Sequence, residues 1–424
     1  MTVEMTTAGR HRQPAYELAD MTSQLVRCQP LAGSPGQGRA LRLLESWLRS
    51  SADVLEIFSF TDEGIAHDSG YVDLRQFGPQ FADYGDKPRE GLSAVLEFDA
   101  PGPEIVLNGH VDVEFVANPE NWQQIEGSHS GKMTPDGWVL GRGAVDMLGG
   151  VASMVQAARN LHAIRETLGG RLVLQFVVDE ELGGNGTLRA VKNHLERPDL
   201  AIICEPSENR VCTRTRSFQQ FDVACFGTPR HMTQSRSHEN AVWVAAQVVC
   251  ALEELNQWCV ETMRETVTSR YLCAGRIEGG GDPSLPAASC VVTVTAALPT
   301  GLAMPALLSR LDGLIRGRLP DDAIPPKITE REFNVPASAL LDGAVARRAH
   351  AQLVSLAGDA SSDSEFASAC DARVYERIGI PTIVFGPGEL HAAHSDNERI
   401  RVEDIVSHCA ALTEMLADVL ARTS

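Results

Sequence analysis

The chain has 424 residues, 43% of them hydrophobic and 22% charged, which is ordinary for a globular protein of two or three domains. Its formal net charge of −19 argues against nucleic acid or an anionic membrane surface as a partner, because both need a basic surface on the protein. No segment is apolar for long enough to serve as a signal sequence or to span a bilayer. The ten cysteines lack a metal-binding spacing, so we predict a cytoplasmic protein with buried thiols, Cys204 among them.

The first half of the chain alternates predicted helices and strands. Residues 14–50 predict two helices around a Gly-Ser-Pro-Gly turn, and residues 92–113 predict two strands around a second turn. A helix is predicted over 151–166, and the apolar runs at 171–178 and 200–204 predict strands covered on both faces. This alternation predicts an α/β domain in which helices flank a sheet.

The pattern changes at about residue 209. Two strands (221–226 and 290–298) and two helices (240–258 and 303–317) follow, and these strands lack acidic ends. We interpret residues 209–332 as an inserted α+β domain. The first pattern then returns with a helix, a short apolar strand near 382 and a closing amphipathic helix at 402–421. Residues 1–208 and 333–424 are therefore predicted to form one domain together.

Histidine and carboxylate side chains follow the apolar strands of that domain or lie in glycine-rich loops beside them. They are His110, Asp112, Asp146, Glu180, Glu181, Glu205 and His394. In α/β proteins the carboxyl ends of the strands carry the chemistry. Imidazole and carboxylate groups are zinc ligands, and the surplus carboxylates suit acid–base work. The set predicts a metal-dependent hydrolytic site.

Several members of this set have a simpler interpretation when each is taken alone. Asp146 suits a helix N-cap, Glu180 with Glu181 suits a solvated acidic turn, and His391 competes with His394 as a ligand. Residues i and i+2 of a strand point to the same side, so Asp112 is predicted to accept a hydrogen bond from the His110 imidazole. That spacing is common, and the joint occurrence of all these residues favours the metal site.

Five segments carry a resemblance to a known family. They are VLNGHVDV, GRGAVDMLGG, VVDEELGGNG, IICEPS and FGPGELHAAHSDNE. In order and spacing they resemble the metallopeptidases that include acetylornithine deacetylase, succinyl-diaminopimelate desuccinylase, aminoacylase and glutamate carboxypeptidase. The resemblance covers essentially the whole chain. It implies a zinc-peptidase-type catalytic domain, a homodimer, and an insertion that serves as a lid and dimerisation domain.

The resemblance also implies a di-zinc site, although cobalt or manganese would suit the same ligand types. Asp146 would bridge the ions, His110 and Glu205 would complete one, and Glu181 and His394 the other.

Two further roles follow from the resemblance. Glu180 would be the general base. His231, which matches the family's Gly-x-x-x-His stretch, would stabilise the oxyanion in the partner subunit's site. A surface histidine near a hairpin is the alternative for His231.

The insertion departs from the family where a substrate carboxylate would be gripped. The expected Asn and Arg correspond to Pro283 and Ala296, and alanine cannot replace a bidentate arginine. Either another arginine substitutes or the substrate lacks that carboxylate. Substrate-contact candidates are Arg214, Arg216, Arg230, Arg236, Arg276, Asn240, Gly386 and Gly388. Leu148 and Met232 also replace residues usual in the family.

We therefore predict an amidohydrolase that cleaves an N-acyl amino-acid-like substrate or a small peptide. The alternatives are a zinc aminopeptidase or dipeptidase, and a metal-binding, non-hydrolytic relative in a biosynthetic pathway.

Overall fold

Helices and strands alternate through most of the chain. The computed structural model describes residues 7–78, 81–196, 198–263, 270–358 and 364–422. The helices are α1 (Thr7–Arg27), α2 (Pro35–Leu48), α3 (Asp62–Ile65), α4 (Ala82–Gly85), α5 (Gly149–Ala163), α6 (Asn185–Ala190), α7 (Ala241–Met263), α8 (Met304–Arg318), α9 (Ala344–Ala357), α10 (Ala372–Arg377) and α11 (Val402–Val419). The strands are β1 (Val54–Phe60), β2 (Arg89–His110), β3 (Lys132–Met133), β4 (Trp138–Leu140), β5 (Gly169–Val177), β6 (Pro198–Ile203), β7 (Cys212–Thr215), β8 (Ser217–Phe226), β9 (Leu272–Gly279), β10 (Ser289–Leu298), β11 (Lys327–Val335), β12 (Ser364–Phe366), β13 (Thr382–Val384) and β14 (Arg399–Arg401).

The chain divides into two compact units. The first contains the described residues up to Arg214 and those of Ser338–Phe366 and Cys370–Ser424; the second contains Thr215–Ala337 and Ala367–Ala369. These divisions fall a few residues after positions 208 and 332, where the sequence predicted them. The first unit extends to Arg214 because β7 still pairs with β13 of its sheet.

The sheet of the first unit is buried on both faces. One face packs on α1, α2, α5, α9 and α11, and the other on the segment that contains α10. Alternate residues of β5 show this division, because Leu172 and Leu174 belong to the first core and Val173 to the second. Burial on both faces explains why the strands are near-continuous apolar runs.

Strand β5 lies between two arms of β2. The first arm runs antiparallel to β5, with Leu92 opposite Phe176, and the second runs parallel to it, with His110 opposite Val177. The link between the arms crosses the start of β5. A Cβ atom on Gly170, whose φ is +88°, would lie 2.1 Å from the carbonyl oxygen of Pro103, so only glycine fits this crossing.

The second arm of β2, β5 and β6 are parallel, and this arrangement positions the candidate site. Asn108 of the arm lies opposite Ile203 of β6, and His110 lies opposite Val177 of β5. Parallel strands end at the same edge of a sheet. The residues that follow β5 and β6, including Glu180 and Glu205, therefore emerge beside His110.

The second unit is an antiparallel sheet in the order β11-β8-β10-β9, with α7 and α8 sharing its core. Strands β9 and β11 were not predicted, because most of their residues are exposed or half-buried and leave no apolar pattern. Among the described residues, no helix is both long enough and apolar enough to cross a membrane.

The ten cysteines are free, and seven of them are buried, including Cys204 as predicted. Cys250 and Cys273 are exposed, contrary to the prediction of buried thiols.

A buried ion-pair network holds the turn that follows β5. Arg89, whose side chain is 1% exposed, lies between Asp62 and Asp179, with its Nε 2.8 Å from Asp179 Oδ2. The contact between Arg89 Nε and Asp179 Oδ2 is a close ion pair, but its geometry is not that of a hydrogen bond. The Tyr84 hydroxyl donates a hydrogen bond of 2.6 Å to Asp179 Oδ1. Asp179 has a φ of +67° and directly precedes Glu180, so the network sets the direction in which the chain leaves β5.

We expect Arg89→Met to lower the free energy of unfolding by about 3–5 kcal/mol, because Asp179 would keep a buried charge without its partner. Arg42→Met is the matched control: Arg42 pairs with Glu90 at 3.2 Å on the surface, and its loss should cost less than about 1 kcal/mol. Urea unfolding followed by circular dichroism measures both. Equal losses in the two variants would contradict the role given to Arg89.

Candidate metal centre

The predicted site residues of the first unit meet at the carboxyl edge of its sheet. His110 ends β2, Glu180 and Glu181 follow β5, and Glu205 follows β6. Their ligand atoms form two groups, in each of which all atoms lie within 4.8 Å of one another. The first group is His110, Glu180 and Glu205, and the second is Asp146, Glu181 and His394.

The first group is organised around the His110 imidazole. Its Nε2 lies 3.1 Å from Asp146 Oδ1 and 3.5 Å from Glu205 Oε1. Its Nδ1 lies 2.8 Å from the carbonyl oxygen of Asp112. Because a carbonyl can only accept a hydrogen bond, Nδ1 must carry the proton, and in the neutral ring Nε2 then has a free lone pair. The backbone therefore sets the tautomer that a metal ligand requires.

Asp112 thus orients His110, but not in the way the sequence predicted. The main-chain carbonyl makes the short contact, and carboxylate Oδ1 lies 3.7 Å from the imidazole. Carboxylate Oδ2 accepts a hydrogen bond of 3.2 Å from the backbone N–H of Glu181. The expected side-chain bond is replaced because the chain turns after His110 and brings the carbonyl closer. Asp112 consequently connects the two ligand groups.

Asp146 lies between the two histidines. Its Oδ1 faces His110 Nε2, and its Oδ2 lies 3.4 Å from His394 Nε2. His394 Nε2 also lies 3.1 Å from Glu181 Oε2. One carboxylate therefore offers one oxygen to each group, which is the arrangement of a bridging ligand. The N-cap interpretation of Asp146 is wrong, since Leu148 occupies the N-cap of α5.

Glu180 differs from the other acids of the site. Among the described residues its carboxylate makes no hydrogen bond and no ion pair within 4 Å, although it belongs to the group of His110 and Glu205. Burial, followed by the charge of Glu205, raises the pKa of Glu180 well above its usual range. A carboxylate with unused oxygens and a raised pKa has the properties of a general base.

Two residues that sequence reasoning missed hold the Asp146 turn. The buried carboxylate of Glu398 accepts hydrogen bonds from the backbone N–H groups of Val145 and Asp146, at 3.1 and 3.2 Å. Glu398 also pairs with the buried Arg142 at 2.7 Å, and Arg142 donates to the carbonyl of His394 at 3.2 Å. One ion pair thus fixes the Asp146 turn and the backbone of His394 together. Both residues lie within the motifs quoted above, which is the signal that could have identified them.

The structure distinguishes the two histidines that the sequence left as alternative ligands. His394 points to Asp146 and Glu181, whereas the side chain of His391 is 80% exposed and pairs with Glu389 at 3.2 Å. The structure therefore places His394 in the site and His391 on the surface.

The charge balance of the site tests whether metal ions fit it. Five carboxylates face two imidazoles; they belong to Asp112, Asp146, Glu180, Glu181 and Glu205. Within the described part of the chain, no lysine or arginine lies within 4 Å of any of the five. Burial first, then Asp146, raises the pKa of Glu205 well above its usual range, while Asp112 Oδ1 has no hydrogen-bond partner. The negative excess and the N and O donors both suit divalent cations.

Four of the five arginines considered as substitutes for the family's carboxylate grip have an ion-pair or stacking partner within the second unit. In the second unit, Arg230 pairs with Glu239 at 2.8 Å and Arg236 with Asp322 at 2.7 Å. Arg276 pairs with Glu278, and the guanidinium of the buried Arg216 lies over the ring of Tyr271. Arg214 is half-buried in β7.

The two positions at which the family's pattern is lost have different surroundings. Ala296 of β10 is fully buried in the core that the strand shares with α7 and α8, so the residue at this position contributes to core packing. Pro283 lies in an exposed loop.

The remaining substrate-contact candidates have structural roles. Asn240 caps α7, accepting a hydrogen bond of 3.1 Å from the N–H of Val242. A Cβ on Gly386 would lie 2.3 Å from the carbonyl of Glu205, and one on Gly388 (φ +86°) would lie 2.4 Å from Val145. These glycines let the chain pass close to the segments that carry Glu205 and Asp146.

His231 belongs to the second unit, whereas the residues of both ligand groups belong to the first. It is exposed and its Nδ1 lies 2.8 Å from the hydroxyl of Thr233. Met232 is exposed, and Leu148 is buried in the first unit's core.

Comparison with known proteins gives the chain its family. A sequence profile of peptidase family M20/M25/M40 matches residues 106–418. The N-formyl-4-amino-5-aminomethyl-2-methylpyrimidine deformylase of Bacillus subtilis is 25% identical over 349 residues, which cover 75% of this chain and 80% of that protein.

Solved structures share the fold. A tripeptidase of Staphylococcus aureus superimposes with a TM-score of 0.68 at 15% identity, over 96% of this chain and 98% of its own. A dinuclear metal binding peptidase of Bacillus subtilis gives a TM-score of 0.58 at 14% identity, over 96% and 98%. The predicted mixed α/β fold and the predicted amide-bond hydrolysis are confirmed, and the chain belongs to peptidase family M20/M25/M40.

Proposed function

We propose that this protein is a dinuclear, metal-dependent amidohydrolase that cleaves an N-acyl amide. The observation that carries the proposal is the Asp146 carboxylate, which presents one oxygen to each of two ligand groups beside the unengaged Glu180. The structural similarity to a dinuclear metal binding peptidase of Bacillus subtilis supports a pair of ions.

The ligands would be divided as follows. His110 and Glu205 would hold one ion, Glu181 and His394 the other, and Asp146 both. Zinc is the first choice, and cobalt or manganese suit the same donors. When bound, such ions supply the Lewis acidity that polarises an amide carbonyl and makes water acidic.

The chain's own residues would then move the proton. Glu180 takes a proton from the attacking water and delivers it to the leaving amine nitrogen, since its oxygens are not engaged by another side chain. The carbonyl of Asp112 keeps the His110 proton on Nδ1, so that Nε2 would be free to bind a metal ion.

The second unit would complete the enzyme. We propose that it serves as the lid and dimerisation domain of a homodimer, and that His231 stabilises the oxyanion in the partner's site. Ten free cysteines support a reducing, cytoplasmic location.

A second candidate function is a dipeptidase or tripeptidase, favoured by the structural similarity to the Staphylococcus aureus tripeptidase. The deformylase relative favours a small acyl group instead. Hydrolysis rates for N-formyl and N-acetyl amines compared with those for unblocked di- and tripeptides distinguish the two functions.

We expect His394→Ala to roughly halve the bound metal and to lower kcat by at least about 100-fold, because the second group loses its imidazole. His391→Ala, a surface histidine three positions away, is the matched control and should retain both metal and activity. Plasma mass spectrometry after dialysis against metal-free buffer gives the metal content. The proposed ligand set is wrong if His394→Ala keeps its full metal content.

We expect Glu180→Gln to lower kcat by about 10²–10⁴-fold while the metal content stays unchanged, because an amide cannot accept the proton from water. Glu389→Gln, which removes an exposed carboxylate, controls for the change in net charge. A parallel loss of metal would make Glu180 a ligand and not the base. Full activity of Glu180→Gln would refute the role of Glu180 as the general base.

A further inference from the structure

An additional carboxylate, Glu114, lies beside the second ligand group. It follows Asp112 by two residues, is half-buried, and has Glu181, His394 and Arg142 as its charged neighbours. Its Oε1 accepts a hydrogen bond of 2.9 Å from the backbone N–H of Phe115. Its Oε2 has no hydrogen-bond or ion-pair partner among the described residues. Neither the proposed metal ligands nor the base requires this acid.

The residue that follows Glu114 is a partly exposed aromatic, Phe115. Phe115 is 44% exposed, and its ring packs edge-to-face on the ring of Phe81 with centroids 5.8 Å apart. Phe81 is buried and packs in turn on Phe77 and Tyr84, at 6.3 and 6.5 Å. The ring of Phe115 is therefore supported from behind by a buried aromatic cluster.

A carboxylate with an unused oxygen, next in sequence to a partly exposed aromatic residue, favours a flat cation as its ligand. The carboxylate pairs with its N–H groups, and the ring stacks on its face.

We propose that Glu114 and Phe115 bind the amine half of the substrate, and that this half is a flat, amidine-like nitrogen base. This assignment rests on the proposed hydrolase function, whose cleaved bond would lie next to the second ligand group. A protonated ring amidine presents its N–H donors in one plane, and the unused Oε2 of Glu114 can accept from them. The pyrimidine in the name of the Bacillus subtilis deformylase's substrate belongs to the same chemical class.

Binding of benzamidinium and benzamide tests the assignment, because the two molecules share size and shape but only the first is charged. Isothermal titration calorimetry on the metal-loaded protein should show benzamidinium binding about 10-fold more tightly. Glu114→Gln should abolish that preference, and Phe115→Ala should weaken both ligands. Glu120→Gln, an exposed acid a few residues along the chain, controls for net charge and should bind as the wild type does.

Three results would overturn the assignment: equal binding of the two ligands by the wild type, an undiminished preference in Glu114→Gln, or loss of metal from that variant. The same preparations are assayed for hydrolysis of N-formylbenzylamine and N-acetyl amino acids. Hydrolysis without a charge preference would refute the amine site alone. A Glu114-dependent preference without hydrolysis of any substrate would refute the hydrolase and leave the binding site standing.

Discussion

The structure depends on one electrostatic constraint: five carboxylates must be held together at a largely buried edge of a sheet. Their mutual repulsion and the loss of water both oppose this arrangement, and two imidazoles cannot balance it. Divalent cations relieve the constraint when they bind, but the backbone that carries the acids must already have the right shape. The first unit is therefore organised around supports that do not themselves belong to the ligand set.

Two buried arginine–carboxylate pairs provide this support. Arg142 with Glu398 fixes the Asp146 turn and the carbonyl of His394. Arg89 with Asp179 fixes the chain just before Glu180. Each pair joins one positive and one negative charge, so the pair adds no net charge to the site while it restricts the ligands' backbone. Preorganised ligands lose little conformational freedom when the ions bind.

Much of the fold and site could be predicted from the sequence, because burial on both faces leaves apolar runs and the ligands stand at their ends. His110, Glu180 and Glu205 follow such runs and were found in this way. Strands β9 and β11 carry few buried residues and gave no signal. The partners of Arg142 and Arg89 are distant in the chain (256 residues separate Arg142 from Glu398), and a single charged residue does not reveal its partner. The His110 imidazole contacts the main-chain carbonyl of Asp112 and not its carboxylate. This choice depends on the direction of the backbone after the strand, which the alternation of residue types does not predict.

The position of β5 between the two arms of β2 has a consequence for how the protein folds. The arms are close in sequence, yet they cannot pair as a hairpin without excluding β5, which is synthesised later. The centre of the sheet can form only after the chain has been made to Val177, and its contacts are non-local, which slows folding. Because Glu180 and Glu181 directly follow β5, insertion of that strand also delivers these acids to His110. The pairing that completes the centre of the sheet therefore also brings one acid of each ligand group to its place.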